Sequence, residues 1–139
     1  MKADELKTRL AATDLFESLS KRTLSHVVKA GREISHADGK EVIVEGAGAV
    51  GFHLITSGTA RVTTAGAVRR TLGVGDYFGE ISVLDGRPRS ASVEATENLK
   101  TFAVEPAVFT GLIQDNPAFA HKIITLLCSR LREAERRPE

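Results

Sequence analysis

The chain has 139 residues, with 19 basic and 18 acidic side chains and a formal net charge of +1. This length suits one domain with its own core, and so even a charge balance offers no global field to draw nucleic acid or an anionic membrane. The single cysteine, Cys128, excludes an internal disulfide and any multi-cysteine zinc or iron–sulfur site, and no apolar run reaches the about 20 residues that a membrane span needs.

Residues 1–12 are charged and helix-like, unlike a signal peptide, so a cytoplasmic protein is the default expectation. Residues 4–12 predict a short helix, with Asp4 as its cap and Leu6 and Leu10 on one face. Thr13-Asp14 interrupts it, and Leu15-Phe16 adds an apolar pair. Ser20 then caps a second helix carrying Leu24, Val27 and Val28. From Ile34 the period shifts toward two. Asp38-Gly39 is a turn, residues 41–45 carry Val42, Ile43 and Val44, and Glu45-Gly46 opens a glycine- and alanine-rich loop through Gly51. Residues 52–55 predict a strand ended by Ser57-Gly58. Residues 59–65 predict the next, and Ala65-Gly66 turns into a third at 68–72. After a central stretch, residues 91–95 and 99–104 read as two more strands with Glu97-Asn98 between them. Pro106 can open a helix, because its missing N–H costs nothing there; Val108, Phe109 and Leu112 would face inward. Asn116-Pro117 starts the last helix, as cap and first position. Its apolar residues Ile124, Leu127, Leu131 and Ala134 step by three and four, the tail from Arg130 to Arg137 is charged, and Pro138 ends it. Short β segments with turns about every 8 to 12 residues predict a sandwich or barrel.

The central stretch, residues 75–93, carries the chemistry. Gly75-Asp76 is a turn, Tyr77 and Phe78 follow, and Gly79 precedes a single helical turn's worth of residues, Glu80 to Leu84. So short a helix can barely hold itself together. Its use is its N-terminus, where free N–H groups favour an anion. Gly79 lets backbone approach a ligand closely. Arg89, beyond the turn at Asp85-Gly86, offers a fork of donors suited to phosphate. Glu80 is an acceptor-only carboxylate that suits sugar hydroxyls. A carboxylate for a ribose beside an anion pocket for a phosphate is what a nucleotide site needs.

The run Phe78-Gly79-Glu80-Ile81-Ser82-Val83-Leu84, followed by Arg89-Ser90-Ala91-Ser92-Val93, closely resembles the phosphate-binding cassette of cyclic nucleotide-binding domains. These occur in catabolite activator proteins, protein kinase A regulatory subunits and cyclic-nucleotide-gated channels. Leu15-Phe16, Leu19-Ser20, and the spacing from Glu45-Gly46 through Phe52 to Ser57-Gly58 also match, so the likeness runs from about Leu6 to Arg132. One departure is Ala47-Gly48, where the family often has an acid. The resemblance implies a mainly β fold with flanking helices. This is an antiparallel β-roll (jelly-roll-like, a double-stranded β-helix) with an N-terminal helical bundle and C-terminal hinge or lid helices. One domain, 1–139, would comprise helices at 1–32, the roll at 33–105 with its cassette at 78–93, and helices at 106–137.

The same resemblance implies that Glu80 takes the ribose 2′-hydroxyl and Arg89 the cyclic phosphate. Backbone groups of Gly79, Ile81, Ser82, Ser90 and Ala91 complete the anion pocket. Serine rather than threonine at position 90 goes with cyclic AMP more than cyclic GMP. Val62 and Leu72 are expected in the apolar wall of the pocket, and Leu131 and Ala134 in a lid. Arg87 reads as solvated. The implied function is a cyclic AMP sensor, with cyclic GMP the lesser ligand, that moves its last helix. It would bind no metal, no nucleic acid directly and no membrane, and its partner would be a second copy through that helix or an effector.

No Ser/His/Asp arrangement, paired acids or metal cluster supports catalysis, so an enzyme is not expected. His26, His36, His53 and His121 are too dispersed for a local metal motif and read as surface or half-buried. Cys128 reads as a small core or interface residue. The rivals are a small cupin-type metalloenzyme, whose histidine set is missing, a degenerate module that has lost its ligand, and the receptor half of a transcription factor or other effector. The opening methionine favours a complete chain or an N-terminal piece.

Overall fold

The computed structural model describes residues 2–43, 51–79 and 91–136. The chain begins with helix α1, Ala3–Ala11, which buries Leu6 and Leu10. Asp4 does not cap it. Lys2 stands at the cap without a side-chain bond, and Asp4 and Glu5 lie in the first turn, where the helix dipole favours negative charge. Thr13 fixes the reversal that follows: its hydroxyl donates to the Leu10 carbonyl at 2.7 Å and accepts from the Phe16 N–H at 3.2 Å. Ser20 caps α2, Lys21–Ala30, accepting from the Thr23 N–H at 3.1 Å as expected.

Among the described residues six strands follow: β1 Arg32–Ser35, β2 Glu41–Ile43, β3 Phe52–Thr64, β4 Ala67–Leu72, β5 Tyr77–Phe78 and β6 Ser92–Val104. All pairings are antiparallel. The order is β1-β6-β3-β4, with β2 also on β6 and β5 also on β3. The long β3–β6 pair is therefore the spine. It runs unbroken where the sequence suggests interruptions at Ser57-Gly58 and at Glu97-Asn98. The two irregularities face each other, with register shifts from Ile55 to Ala60. Gly58 has φ +80°, and a Cβ there would run into the carbonyls of Glu97 and Asn98. Asn98, at φ +41°, donates its N–H to the Asp38 carboxylate at 2.9 Å. Turn residues here mark a bulge that bends one ribbon, not the ends of four strands.

The bend and the strand alternation sort side chains into two cores. Phe52, Leu54, Phe102 and Val104 face the helices with Leu10, Leu15, Phe16, Leu24 and Val27. Ile55, Ala60, Val62, Val93, Ala95 and Leu99 fill the inside of the roll with Leu72 and Phe78. Helix α3, Pro106–Asp115, starts on Pro106 and buries Phe109 and Leu112; Val108 is only partly buried against them. Asn116 closes α3, donating its side-chain amide to the Leu112 carbonyl at 2.9 Å, while its own carbonyl accepts from Ala120 at the start of α4, Pro117–Arg136. Four phenylalanines join the layers. Phe52 meets Phe16 edge-on at 5.4 Å and stacks on Phe109 at 5.0 Å, and Phe119 packs against both Phe16 and Phe109.

The close approach at Gly58 carries a stability prediction. Gly58→Ala should lower the unfolding free energy by about 1–3 kcal/mol, the strain of holding a side chain at positive φ. Gly73→Ala, whose added Cβ would meet nothing within 4 Å, should change it by less than about 0.5 kcal/mol. Urea denaturation compares the two, and equal effects would show that the ribbon has no need of a bare backbone at position 58.

Candidate functional site

Strand β5 delivers the chain to the candidate site. Before it, residues 73–76 form a tight turn in which Asp76 accepts from the Gly73 N–H at 2.8 Å. The turn is pinned to β3 by two backbone bonds, Ile55 N–H to the Asp76 carbonyl and Gly75 N–H to the Ile55 carbonyl. Two residues then pair with β3, His53 with Phe78 and Leu54 with Tyr77. Alternation points them to opposite sides: Tyr77 packs against the helix-facing core, and Phe78 is buried in the roll. Gly79 follows at φ +94°, a backbone state that a side chain would strain.

The chain returns at Ala91, half-buried against the cluster of Val62, Leu72, Phe78 and Val93. The structure thus gathers Val62, Leu72 and Ala91 around one apolar interior, with Gly79 directly after Phe78. Glu80, Ile81, Ser82, Arg89 and Ser90, together with Arg87 and the Ala47-Gly48 loop, lie outside the described residues. Leu131 is 60% exposed, and Ala134 is exposed too. Helix α4 instead turns Phe119, Ile123, Leu126 and Leu127 toward the domain. Cys128, expected to be covered, is exposed.

Two features escaped the sequence. The first is a contact between α4 and β5. The Arg130 guanidinium lies 5.5 Å from the centre of the Tyr77 ring. Burial pushes the Tyr77 phenol above its ordinary range, while Arg130 opposes that shift. Burial, and then the charge of Arg70, pulls Arg130 below its own. The signal was present: positions 119, 123, 126 and 130 also step by three and four. The second is a pair of histidines. His36 and His53 are buried, not surface groups, and both reach the Thr101 hydroxyl. No sequence spacing connects them. Among the described residues, no group of three His, Cys, Asp or Glu could hold a metal, and no helix is long and apolar enough to cross a membrane.

The described part of the site is a bent antiparallel roll with an apolar interior, helices packed on its other face, and Gly79 at positive φ directly after the buried Phe78. A family model described as the cyclic nucleotide-binding domain matches residues 33–116, and the chain belongs to that family. It is 32% identical over 131 residues to a cyclic AMP receptor protein of Thermus thermophilus, covering 91% of this chain and 61% of the relative. It is 32% identical over 108 residues to a cGMP-dependent protein kinase of Plasmodium berghei, covering 77% of this chain and 12% of the kinase. It therefore spans less than two thirds of either relative. Among solved structures, the sensor domain of the transcriptional regulator DNR from Pseudomonas aeruginosa superposes with a TM-score of 0.85. That match covers 99% of this chain and 95% of the other, at 20% identity, a likeness of fold alone.

The chain has one tyrosine, so alkaline absorbance reports Tyr77 alone. Its native titration should fall above the ordinary 10 and return to about 10 in urea. Because the folded value is the higher, the stability this phenol contributes is complete below pH 10 and is lost as pH rises through the folded value. Identical midpoints in both solvents would mean that the ring is not covered by α4.

Proposed function

We propose that the protein is a cyclic nucleotide sensor that binds its ligand reversibly, performs no chemistry on it, and prefers cyclic AMP. The observation that supports this most is the delivery of Gly79, at positive φ, beside the apolar interior formed by Val62, Leu72, Phe78 and Ala91. In sequence Glu80 follows at once and Arg89 soon after. In this reading Glu80 takes the ribose 2′-hydroxyl and Arg89 the cyclic phosphate. Backbone N–H groups of Ile81, Ser82, Ser90 and Ala91 complete the anion pocket, and Val62 and Leu72 line its apolar wall. Ser90, in place of threonine, favours cyclic AMP. Calorimetric titration of the whole chain with both nucleotides tests the preference. Arg89→Ala should weaken cyclic AMP binding by about 2–5 kcal/mol, the cost of removing one partner of a buried charge pair, without loss of folded structure. Unchanged affinity would sink the reading.

The output in this reading is α4. Arg130 ties that helix to Tyr77, two residues before Gly79, so ordering of the site by ligand biases the helix between docked and released states. Its other face carries Ile124 and Leu131, 58% and 60% exposed, in line with Ala134, and serves a second copy or an effector. Hydrogen-exchange mass spectrometry reads the coupling: cyclic AMP should slow exchange in residues 123–136 together with residues 77–79. Protection confined to residues 75–93 would mean that the signal leaves by another route.

A further inference from the structure

We propose that His36, Thr101 and His53 form a buried, proton-sensitive network that positions Phe78 and thereby sets the affinity of the Gly79 site for its nucleotide. The inference rests on the binding reading above. Thr101 has no exposed surface; its Oγ1 lies 2.8 Å from His36 Nε2 and 3.0 Å from His53 Nδ1. The two imidazoles come from positions on β3 and just after β1, and their centres are 6.0 Å apart. The His53 ring lies flat on Phe78, 4.9 Å between centres and 7° between planes. His53 and Phe78 are also backbone partners. The network thus backs the residue that precedes Gly79.

A hydroxyl has one proton to give and two lone pairs. With both imidazoles neutral, Thr101 donates to one ring nitrogen and accepts from the N–H of the other, which fixes a tautomer on each ring. One added proton can keep both bonds but puts a charge in a site that opposes it. Burial, and then the field of Lys40, hold His36 below its ordinary 6.5. A second proton leaves the hydroxyl hydrogen without an acceptor between the rings. Among the described residues, no ion pair joins a carboxylate to His36. Arg32 and Glu33 on β1 and Lys100 on β6 are exposed, Asp38 accepts from the Asn98 N–H, and Asp76 before β5 accepts from the Gly73 N–H. A cleft of about 280 Å³ reaches His53, with Arg32 and Glu105 in its walls.

The sign follows from linkage. The folded value of His36 is the lower, so the neutral network's contribution is complete above pH 6.5 and is lost as pH falls through the folded value. Protonation favours arrangements in which His36 is solvated and Phe78 loses its stacking partner. A ligand that needs Phe78 in place binds less tightly as those arrangements grow.

The test is calorimetric titration of the whole chain with cyclic AMP between pH 7.5 and 5.5, beside NMR titration of the free protein read at the imidazoles and at the Phe78 and Gly79 amides. One linked proton gives at most about a tenfold loss of affinity per pH unit, and the loss should begin below pH 6.5. His36→Gln keeps hydrogen-bonding capacity without the proton, and should flatten the profile. Thr101→Val, which removes the shared hydroxyl at nearly constant shape, should weaken binding at every pH. Equal slopes in wild type and His36→Gln, or a slope of opposite sign, overturn the proposal. If cyclic AMP binds at no pH, the binding reading falls and the free-protein titration still decides the network. Phe78 and Gly79 signals that follow the imidazoles in wild type but not in His36→Gln uphold it, and signals that ignore them overturn it.

Discussion

The structure depends on the pairing of β3 with β6. Each strand has 13 residues, and they are joined from Phe52↔Val104 to Thr63↔Ser92. Every other described strand hangs on one of the two: β1 and β2 on β6, β4 and β5 on β3. The bulge where Gly58 meets Glu97 and Asn98 bends the ribbon, so its two ends serve different cores. One end presents Phe52, Leu54, Phe102 and Val104 to the helices; the other lines the roll with Ala60, Val62, Val93 and Ala95. A buried side chain of Phe or Leu size contributes about 1.5–3 kcal/mol. Without the ribbon, the helix-facing phenylalanines have no common surface to meet on.

The site inherits its order from that spine. Gly79 and Ala91 are the described ends of the candidate cassette, and both are held by strands paired to β3, β5 at one end and β6 at the other. β5 is only two residues long, yet it is where the two cores touch. Tyr77 looks toward α4 and Phe78 looks into the roll. A shift of this short strand would be felt on both sides, at Arg130 over the Tyr77 ring and at His53 under the Phe78 ring.

Much of this chain is written locally and can be read locally. Ser20 as a helix cap, Pro106 as a helix start, the turns at Asp38-Gly39, Ala65-Gly66 and Gly75-Asp76, and the change of period near Ile34 all follow from a few neighbouring residues. Membership of the cyclic nucleotide-binding family was legible for the same reason, because glycine, acid, arginine and small residues stand at fixed offsets within one short stretch. What only the tertiary structure decided involves partners far apart in the chain. Gly58 and Asn98 look like strand ends until each is seen to bulge against the other. Periodicity reveals apolar stripes on α4 but not their phase. Phe119, docked against Phe16 and Phe109, sets that phase, and it leaves Leu131 outside. His36 and His53 seem isolated until the β1–β6–β3 register brings both to Thr101. Local backbone preferences act over a few residues, whereas register, helix phase and buried polar pairing are settled by which surfaces exclude water together.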